Sequence, residues 1–256
     1  MEKLVRKGYL IERPEESREY INAFYITGKY LQNFFNKYNQ IENVQKDGFN
    51  WLRTQIISPT FDSMNFRYKN KVFSVFVDLV DIIDGEVVSY FSQKAKDLQI
   101  KICKENNLIP CTFKVKIKNL QPATVGWNLF STVDNKKINP LDNVSNDLVP
   151  ISYWELLNFG ITIVMDDLEK KGEKILSFTD APDISPNIWF EDEYENKNWV
   201  HVSVNGKNKK PNYLKNNIPS EYKGYVANVS ILPIIDKNVL YRAQPANIFY
   251  DGLEKF

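Results

Sequence analysis

Apolar side chains recur with two different periods along this chain, and the switches between them mark out its elements. After Pro14, with Glu15 and Glu16 in the opening turn, Ile21, Phe24, Tyr25, Leu31, Phe34, Phe35 and Tyr38 return at helical spacing. A proline at the first helical position gives up an N–H that has no partner there, and the two carboxylates complement the helix dipole. The spacing predicts a long helix over 14–38, with Gly28 as its weak point, and a shorter one over 43–57 (Phe49, Leu52, Ile56) that stops at Ser58-Pro59. Met64 to Tyr68, a tight turn at Lys69-Asn70, and Lys71 to Val80, rich in Val and Phe, read as a hairpin closed by Asp84-Gly85. Val87, Phe91, Ala95, Leu98 and Ile102 then fall on one helical stripe, with Lys94, Lys96, Lys101 and Lys104 off it. Finally Cys111, Phe113, Val115 and Ile117 alternate with Thr112, Lys114, Lys116 and Lys118, as in a strand with one face on a core and one in water.

From 119 to about 149 the periodicity lapses, and Pro122, Gly126, Pro140 and Pro150 mark a connection between halves. The expected organisation is a first half over 1–120, a connection over 121–149 and a second half over 150–256. The second half opens on Ser152-Tyr153-Trp154-Glu155, a capping box in which the serine and the glutamate each satisfy an orphan N–H. Its helix is expected to run to about Lys171 and stop at Gly172, and its nearly all-round apolar stretch Leu156 to Met165 predicts a central position. Strands are expected at 174–179, 188–192, 198–204 and 225–233. The fold class is therefore α+β, two halves that each pack a small, mainly antiparallel sheet with helices. Tyr68-Lys69-Asn70-Lys71 and Tyr194-Glu195-Asn196-Lys197, with Ser58-Pro59 and Ser185-Pro186 upstream of them, raise the further reading of an internal structural repeat.

Composition narrows the function classes. With 43% hydrophobic and 14% aromatic residues the chain can bury an ordinary core. Lys plus Arg number 33 against 32 Asp plus Glu, a net of +1, which removes the bulk electrostatic argument for a nucleic-acid or membrane-surface protein. The first residues are charged where a leader needs an apolar stretch, and the longest apolar run, Phe159 to Met165, is far short of a bilayer span, so no membrane partner is expected. Cys103 and Cys111 both fall at core positions, which fits buried thiols in a reducing, cytoplasmic compartment and no disulfide scaffold.

Candidate chemistry is sparse. A phosphate-binding loop, a Gly-x-Gly-x-x-Gly turn, a Gly-x-Ser-x-Gly elbow, a paired-His zinc helix and a Cys-x-x-Cys pair are all missing from the sequence, so no cofactor is predicted. His201 is the single histidine, and in Trp199-Val200-His201-Val202-Ser203-Val204 it shares a strand face with Trp199 and Ser203. Lining a cleft it would be a proton shuttle, and its plain reading is a half-exposed strand histidine. Acids concentrate between Asp166 and Glu195, ten carboxylates against three lysines for a net of −7. A divalent-metal-dependent hydrolase or nuclease would draw on Asp180, Asp183, Glu191 and Glu193 with His201, holding Mg²⁺ or Mn²⁺ between carboxylates. Glu195-Asn196-Lys197 and Glu221-Tyr222-Lys223 match the Glu-x-Lys letters of such enzymes but sit in turns. The acidic run Asp78, Asp81, Asp84 and Glu86 has the wrong spacing for a calcium loop, and Asp84 reads as a turn residue or cap.

A basic stretch, Lys94, Lys96, Lys101, Lys104, Lys114, Lys116 and Lys118 against Asp97 and Glu105, is a candidate binding patch for nucleic acid or an acidic protein, although a solvated polar face has the same letters. The aromatic stripe Tyr20, Phe24, Tyr25, Tyr30, Phe34, Phe35 and Tyr38 reads first as core and second as the wall of a small-molecule pocket. Gly224-Tyr225-Val226-Ala227-Asn228-Val229-Ser230, Leu240-Tyr241-Arg242 and Tyr250-Asp251-Gly252-Leu253-Glu254, with Asp180-Ala181-Pro182, Trp189 and Trp199-Val200, resemble a group of uncharacterised bacterial proteins over residues 150–256. The resemblance implies bacterial origin and a shared fold, and it carries no site residue. The sequence thus leads to a non-catalytic protein that binds another macromolecule, most readily another protein, with the metal-dependent hydrolase as the alternative.

Overall fold

Lys71–Ile83 has the longest apolar run of the first half, and the first sheet is organised around it. In the computed structural model, which describes residues 17–39, 49–52, 63–181, 184–207, 218–235 and 238–256, this strand, β3, is buried along almost its whole length. A strand covered on both faces reads as a continuous apolar run rather than an alternation. It pairs antiparallel with β2 (Ser63–Tyr68), antiparallel with the short β4 (Glu86–Ser89) and parallel with β5 (Ile109–Lys116). β1 (Phe49–Leu52) extends the sheet beyond β2, and β6 (Leu129–Ser131) and β7 (Lys137–Ile138) extend it beyond β5. Helix α1 (Arg18–Asn39) buries Tyr20, Ala23, Leu31 and Phe35 in the cluster that holds Phe66, Phe73 and Val75. Helix α2 (Gln93–Glu105) starts at Ser92, whose hydroxyl accepts from the Ala95 N–H. Its buried Gln99 amide donates to the carbonyls of Ser74 and Cys111, bracing β3 against β5. The two thiols, Cys103 and Cys111, are buried and unpaired.

Three features of this unit differ from what the periodicity predicts. Phe49–Leu52 is a strand, not part of a second helix, because Trp51 and its neighbours pair residue for residue with Asn65–Tyr68; the remainder of 43–57 lies outside the described residues, apart from these four. The helix placed after Asp84-Gly85 begins later, since both residues take positive φ (53° and 82°) and fold the chain back onto β3 as β4. Val87 is therefore an exposed strand residue, and the buried helical stripe is Ala95, Gln99 and Cys103, with Ile102 outside it. The stretch read as a connection holds β6, β7 and a 3₁₀ turn, Pro140–Asn143, capped by Asn139.

The chain divides into two compact units, Met1–Asp147 and Leu148–Phe256. In the second, helix α3 (Tyr153–Lys170) has both halves of the predicted capping box, and Gly172 ends it at φ 87°. Its Leu157, Ile161, Val164, Met165 and Leu168 pack on a five-stranded sheet of order β12-β11-β10-β9-β8. These strands are β8 (Lys174–Phe178), β9 (Ile188–Glu191), β10 (Lys197–Val204), β11 (Lys223–Pro233) and β12 (Ala246–Lys255). Gly160 lets the helix come close to β10, since a Cβ there would sit 2.5 Å from Val204 Cγ2.

The two sheets repeat one topology. From β1 to β2, β3, β5 and β6 the pairings run antiparallel, antiparallel, parallel, antiparallel, and from β8 to β9, β10, β11 and β12 they run the same way. A helix precedes each set, and β3 and β10 are the buried central strands. Lys69 and Glu195, which correspond in the two Tyr-x-Asn-Lys turns, both take positive φ (49° and 61°). The upstream Ser58-Pro59 lies outside the described residues.

Candidate functional site: the open edge of the second sheet

The described residues among those singled out for acid–base or metal chemistry have structural surroundings of their own. His201 lies on β10 with no exposed surface, its Nδ1 2.6 Å from Ser185 Oγ, so it is neither a cleft residue nor a half-exposed one. Asp180 is 2% exposed and accepts from the Asn158 amide at 2.9 Å. Burial pushes its carboxyl up to about 6, against hydrogen bonds from Asn158, the backbone and Trp154 that pull it down. Glu191 pairs with Lys174 at 3.1 Å, Glu193 is exposed in the β9–β10 turn, and Asp183 lies outside the described residues. Glu195 and Asn196 form that turn, where the Asn196 amide donates to Asp192, and Tyr222 turns back on Pro219 just before β11. Among the described residues, no three His, Cys, Asp or Glu side chains are grouped to hold a metal ion.

In the first unit some lysines of the basic stretch have partners within their own fold. Lys96 bonds the buried Asp78 at 2.7 Å, Lys118 reaches Asp81 at 3.8 Å, and Lys101 reaches Glu105 at 3.9 Å. Lys114 donates to Asn135, and desolvation pulls its ammonium below the ordinary value despite the nearby Asp78. Lys94 and Lys104 remain exposed on α2, and Lys116 is half-buried on β5. Lys101 and Lys118 are exposed as well, so four of the seven lysines, Lys94, Lys101, Lys104 and Lys118, face solvent.

A buried ion pair that the periodicity did not indicate sets the geometry of the second unit. Arg242 grips Glu155 through two bonds, Nε to Oε1 at 2.8 Å and Nη2 to Oε2 at 2.6 Å, with both side chains 1% exposed. The same Glu155 carboxylate closes the capping box by accepting the Ser152 N–H. Backbone bonds from Ile151 to Leu240 and from Arg242 to Val149 complete the attachment. The segment before β12 is thus fixed to the start of α3, and it frames an apolar cavity of about 520 Å³ lined by Leu148, Pro233, Ile235, Leu240, Tyr241 and Pro245, among others.

That cavity opens at one end of β12, because Pro233 stands opposite Ala246 in the β11–β12 register. β12 is the last strand of its sheet, and among the described residues no strand pairs with its outer edge. Beside this end five apolar side chains are exposed, Leu232 (45%), Ile234 (54%), Ile235 (71%), Ile248 (55%) and Phe249 (55%), together with the polar Gln244 and Asn247. At the other end the register shifts between Ala227 and Val229, where Gly252 takes φ 100°. Such a bulge twists an edge and discourages pairing. The stretch from Ala246 to Tyr250 is left as regular ladder, in which Ala246, Ile248 and Tyr250 turn their backbone groups to the open edge and Asn247 and Phe249 turn theirs to β11.

β12, the Arg242–Glu155 pair and every lining residue of the cavity except Leu148 fall within one matched segment. Residues 154–256 match a domain of unknown function, DUF8840. The resemblance read over residues 150–256 is thus borne out at the level of a domain, and the DUF8840 region takes in α3 almost entire and every strand of the second sheet. No curated protein and no solved structure matches the chain.

Proposed function

We propose that this is a non-catalytic protein that binds another protein, and that the partner adds an extended segment to β12. The observation that carries the reading is the unpaired Ala246–Tyr250 edge lying beside an apolar cavity of about 520 Å³. Main-chain groups on an open edge recognise an extended backbone, whereas a pocket at the end of the ladder recognises one bulky apolar side chain. Contiguous exposed apolar residues on a protein surface mark such sites. The buried, unpaired thiols support placing the encounter in a reducing compartment, the cytoplasm of a bacterium by the resemblance of the second half.

The test substitutes Ile248→Lys and Phe249→Lys, two exposed positions where lysine leaves the core untouched. Crosslinking in lysate should recover a partner with the wild-type chain and lose it with the double variant at unchanged melting temperature. Amide exchange should slow at Ile248 and Tyr250 in the recovered complex, because their register partners Ile231 and Val229 turn their own backbone groups toward Asn205 and leave these two facing the open edge. Recovery of the same proteins by both chains, or no slowing at β12, overturns the reading. So does a wild-type dimer that the substitutions dissolve, since a second copy would then be the occupant.

A further inference from the structure

The aromatic stripe of α1 divides between two tasks. Tyr20 and Phe35 are buried in the core, Tyr25 is 72% exposed, and Tyr30 and Phe34 line a separate cavity of about 490 Å³ in the first unit. Its other walls come from Trp127 to Leu129 and from Lys137 to Asp142. Three of the lining side chains are therefore aromatic. Tyr30, Trp127 and Phe113 pack as a triangle, with Trp127 5.5 Å from Tyr30 and 5.2 Å from Phe113, and those two 5.7 Å apart, so they do not sandwich the indole between them. The Tyr30 hydroxyl donates to the Trp127 carbonyl at 3.1 Å, and the Phe34 ring rests on Tyr38 at 4.7 Å. The rings are thus held before any ligand arrives, and the surface they offer is π-face, which attracts cations.

The sheet register decides which charge accompanies the rings. Ile138 stands opposite Leu129, and Leu129 opposite Phe113, whereas Lys137 stands opposite Phe130 and Phe130 opposite Thr112. Successive side chains of a strand point to opposite faces, so Ile138 shares a face with Phe113, which Tyr30 touches, and Lys137 lies on the other. The Lys137 ammonium is thereby turned away from the rings. Asp142, on the 3₁₀ turn after β7, is the one carboxylate among the described lining residues. It is exposed, and its Oδ2 accepts from the neutral Asn139 amide at 3.0 Å, so its negative charge is not balanced there. The Asn128 amide nitrogen is spent on the carbonyls of Val125 and Gly126. Three rings beside one unbalanced carboxylate is the pattern that recognises a weakly hydrated organic cation. A volume of about 490 Å³ leaves room for the body that carries the charge.

We propose that this cavity binds a small organic cation of the methylated-ammonium type, its head against Tyr30, Phe34 and Trp127 and its charge balanced by Asp142. The site is independent of β12 and lies in the other unit. The probes are choline and its uncharged carbon isostere, neohexyl alcohol, which share a shape and differ in charge. Affinities are read from the broadening of each probe's methyl proton signal by the full chain. Choline should bind about fivefold to tenfold more tightly than the alcohol. In the chain labelled with fluorotryptophan it should shift the Trp127 signal and leave those of Trp154, Trp189 and Trp199 in place. Asp142→Asn, at an exposed position, should weaken choline about threefold and leave the alcohol unchanged, as for an exposed ion pair. Trp127→Leu should abolish the preference for choline, and Phe34→Leu serves if the first variant does not fold. Four results overturn the proposal: no binding of choline, equal affinity for the alcohol, an unmoved Trp127 signal, or wild-type choline affinity in Asp142→Asn or in the folded ring variant.

Discussion

Two buried carboxylates show how a single residue's surroundings set its chemistry. Asp180 accepts from neutral donors, Asn158, Trp154 and the backbone, and burial outweighs them and raises its carboxyl from an ordinary 3.8 to about 6. An acid raised in the folded state is bound by protons more tightly there than in the unfolded chain, so stability is highest below the ordinary value and falls as pH rises through about 6. The expected loss is about 2–3 kcal/mol between pH ~4 and ~7, at ~1.4 kcal/mol per unit. Urea titrations across that range should show this slope in the wild type and a flatter one in Asp180→Asn; parallel curves would refute the assignment. Asp78 is buried as deeply but is met by Lys96 at 2.7 Å and by the Ser89 hydroxyl. Burial still raises its carboxyl, against the attraction of Lys96 and Lys114. Removing the cation strands the charge, so Lys96→Met should destabilise by about 3 kcal/mol. Adding Asp78→Asn to that variant should recover part of the loss, and full additivity in a double-mutant cycle would mean the pair is not coupled.

At the scale of elements, helix α3 is the best-specified piece of the molecule. Its capping box, its apolar girth and the glycine that ends it were all legible in the letters, because each depends on local contacts. Gly160 carries information that was not legible. It sits where α3 meets β10, and a Cβ would press on Val204 and lie 3.7 Å from Val229 Cβ. Gly160→Ala should therefore cost about 1–3 kcal/mol in spite of alanine's better helix propensity, and a stabilised variant would show the helix free to shift. The same division explains the other outcomes. β3, β5 and β10 announced themselves through apolar runs or alternation, whereas Phe49–Leu52 took its state from pairing with β2. β12 escaped the sequence reading because an edge strand has little apolar surface to bury, and its Ile248 and Phe249 are exposed. The open edge was invisible for that reason. The α1 stripe was legible by its spacing, but Trp127, which stacks on Tyr30 and Phe113, lay in a stretch read as a connection.

For the whole molecule, two apolar clusters with no residue in common imply two folding units. The first draws on residues from Tyr20 to Val144 and the second on residues from Leu156 to Leu253. Each has its own helix-first sheet of the same strand order, and neither sheet borrows a strand from the other unit among the described residues. The second unit falls within the usual domain range of about 50–200 residues, long enough to bury an independent core. A fragment of residues 148–256 should therefore fold alone, with a cooperative urea transition and near-ultraviolet signals from Trp189 and Trp199, which the sheet holds half-buried and buried respectively. Arg242→Met within it should lower stability by about 3–5 kcal/mol, since Glu155 would be left charged and 1% exposed at the start of α3. In the full chain labelled with fluorotryptophan, the same substitution should shift the Trp154, Trp189 and Trp199 transitions and leave those of Trp51 and Trp127 in place. A fragment that melts without cooperativity, or tryptophans of both units moving together, would show one folding unit rather than two.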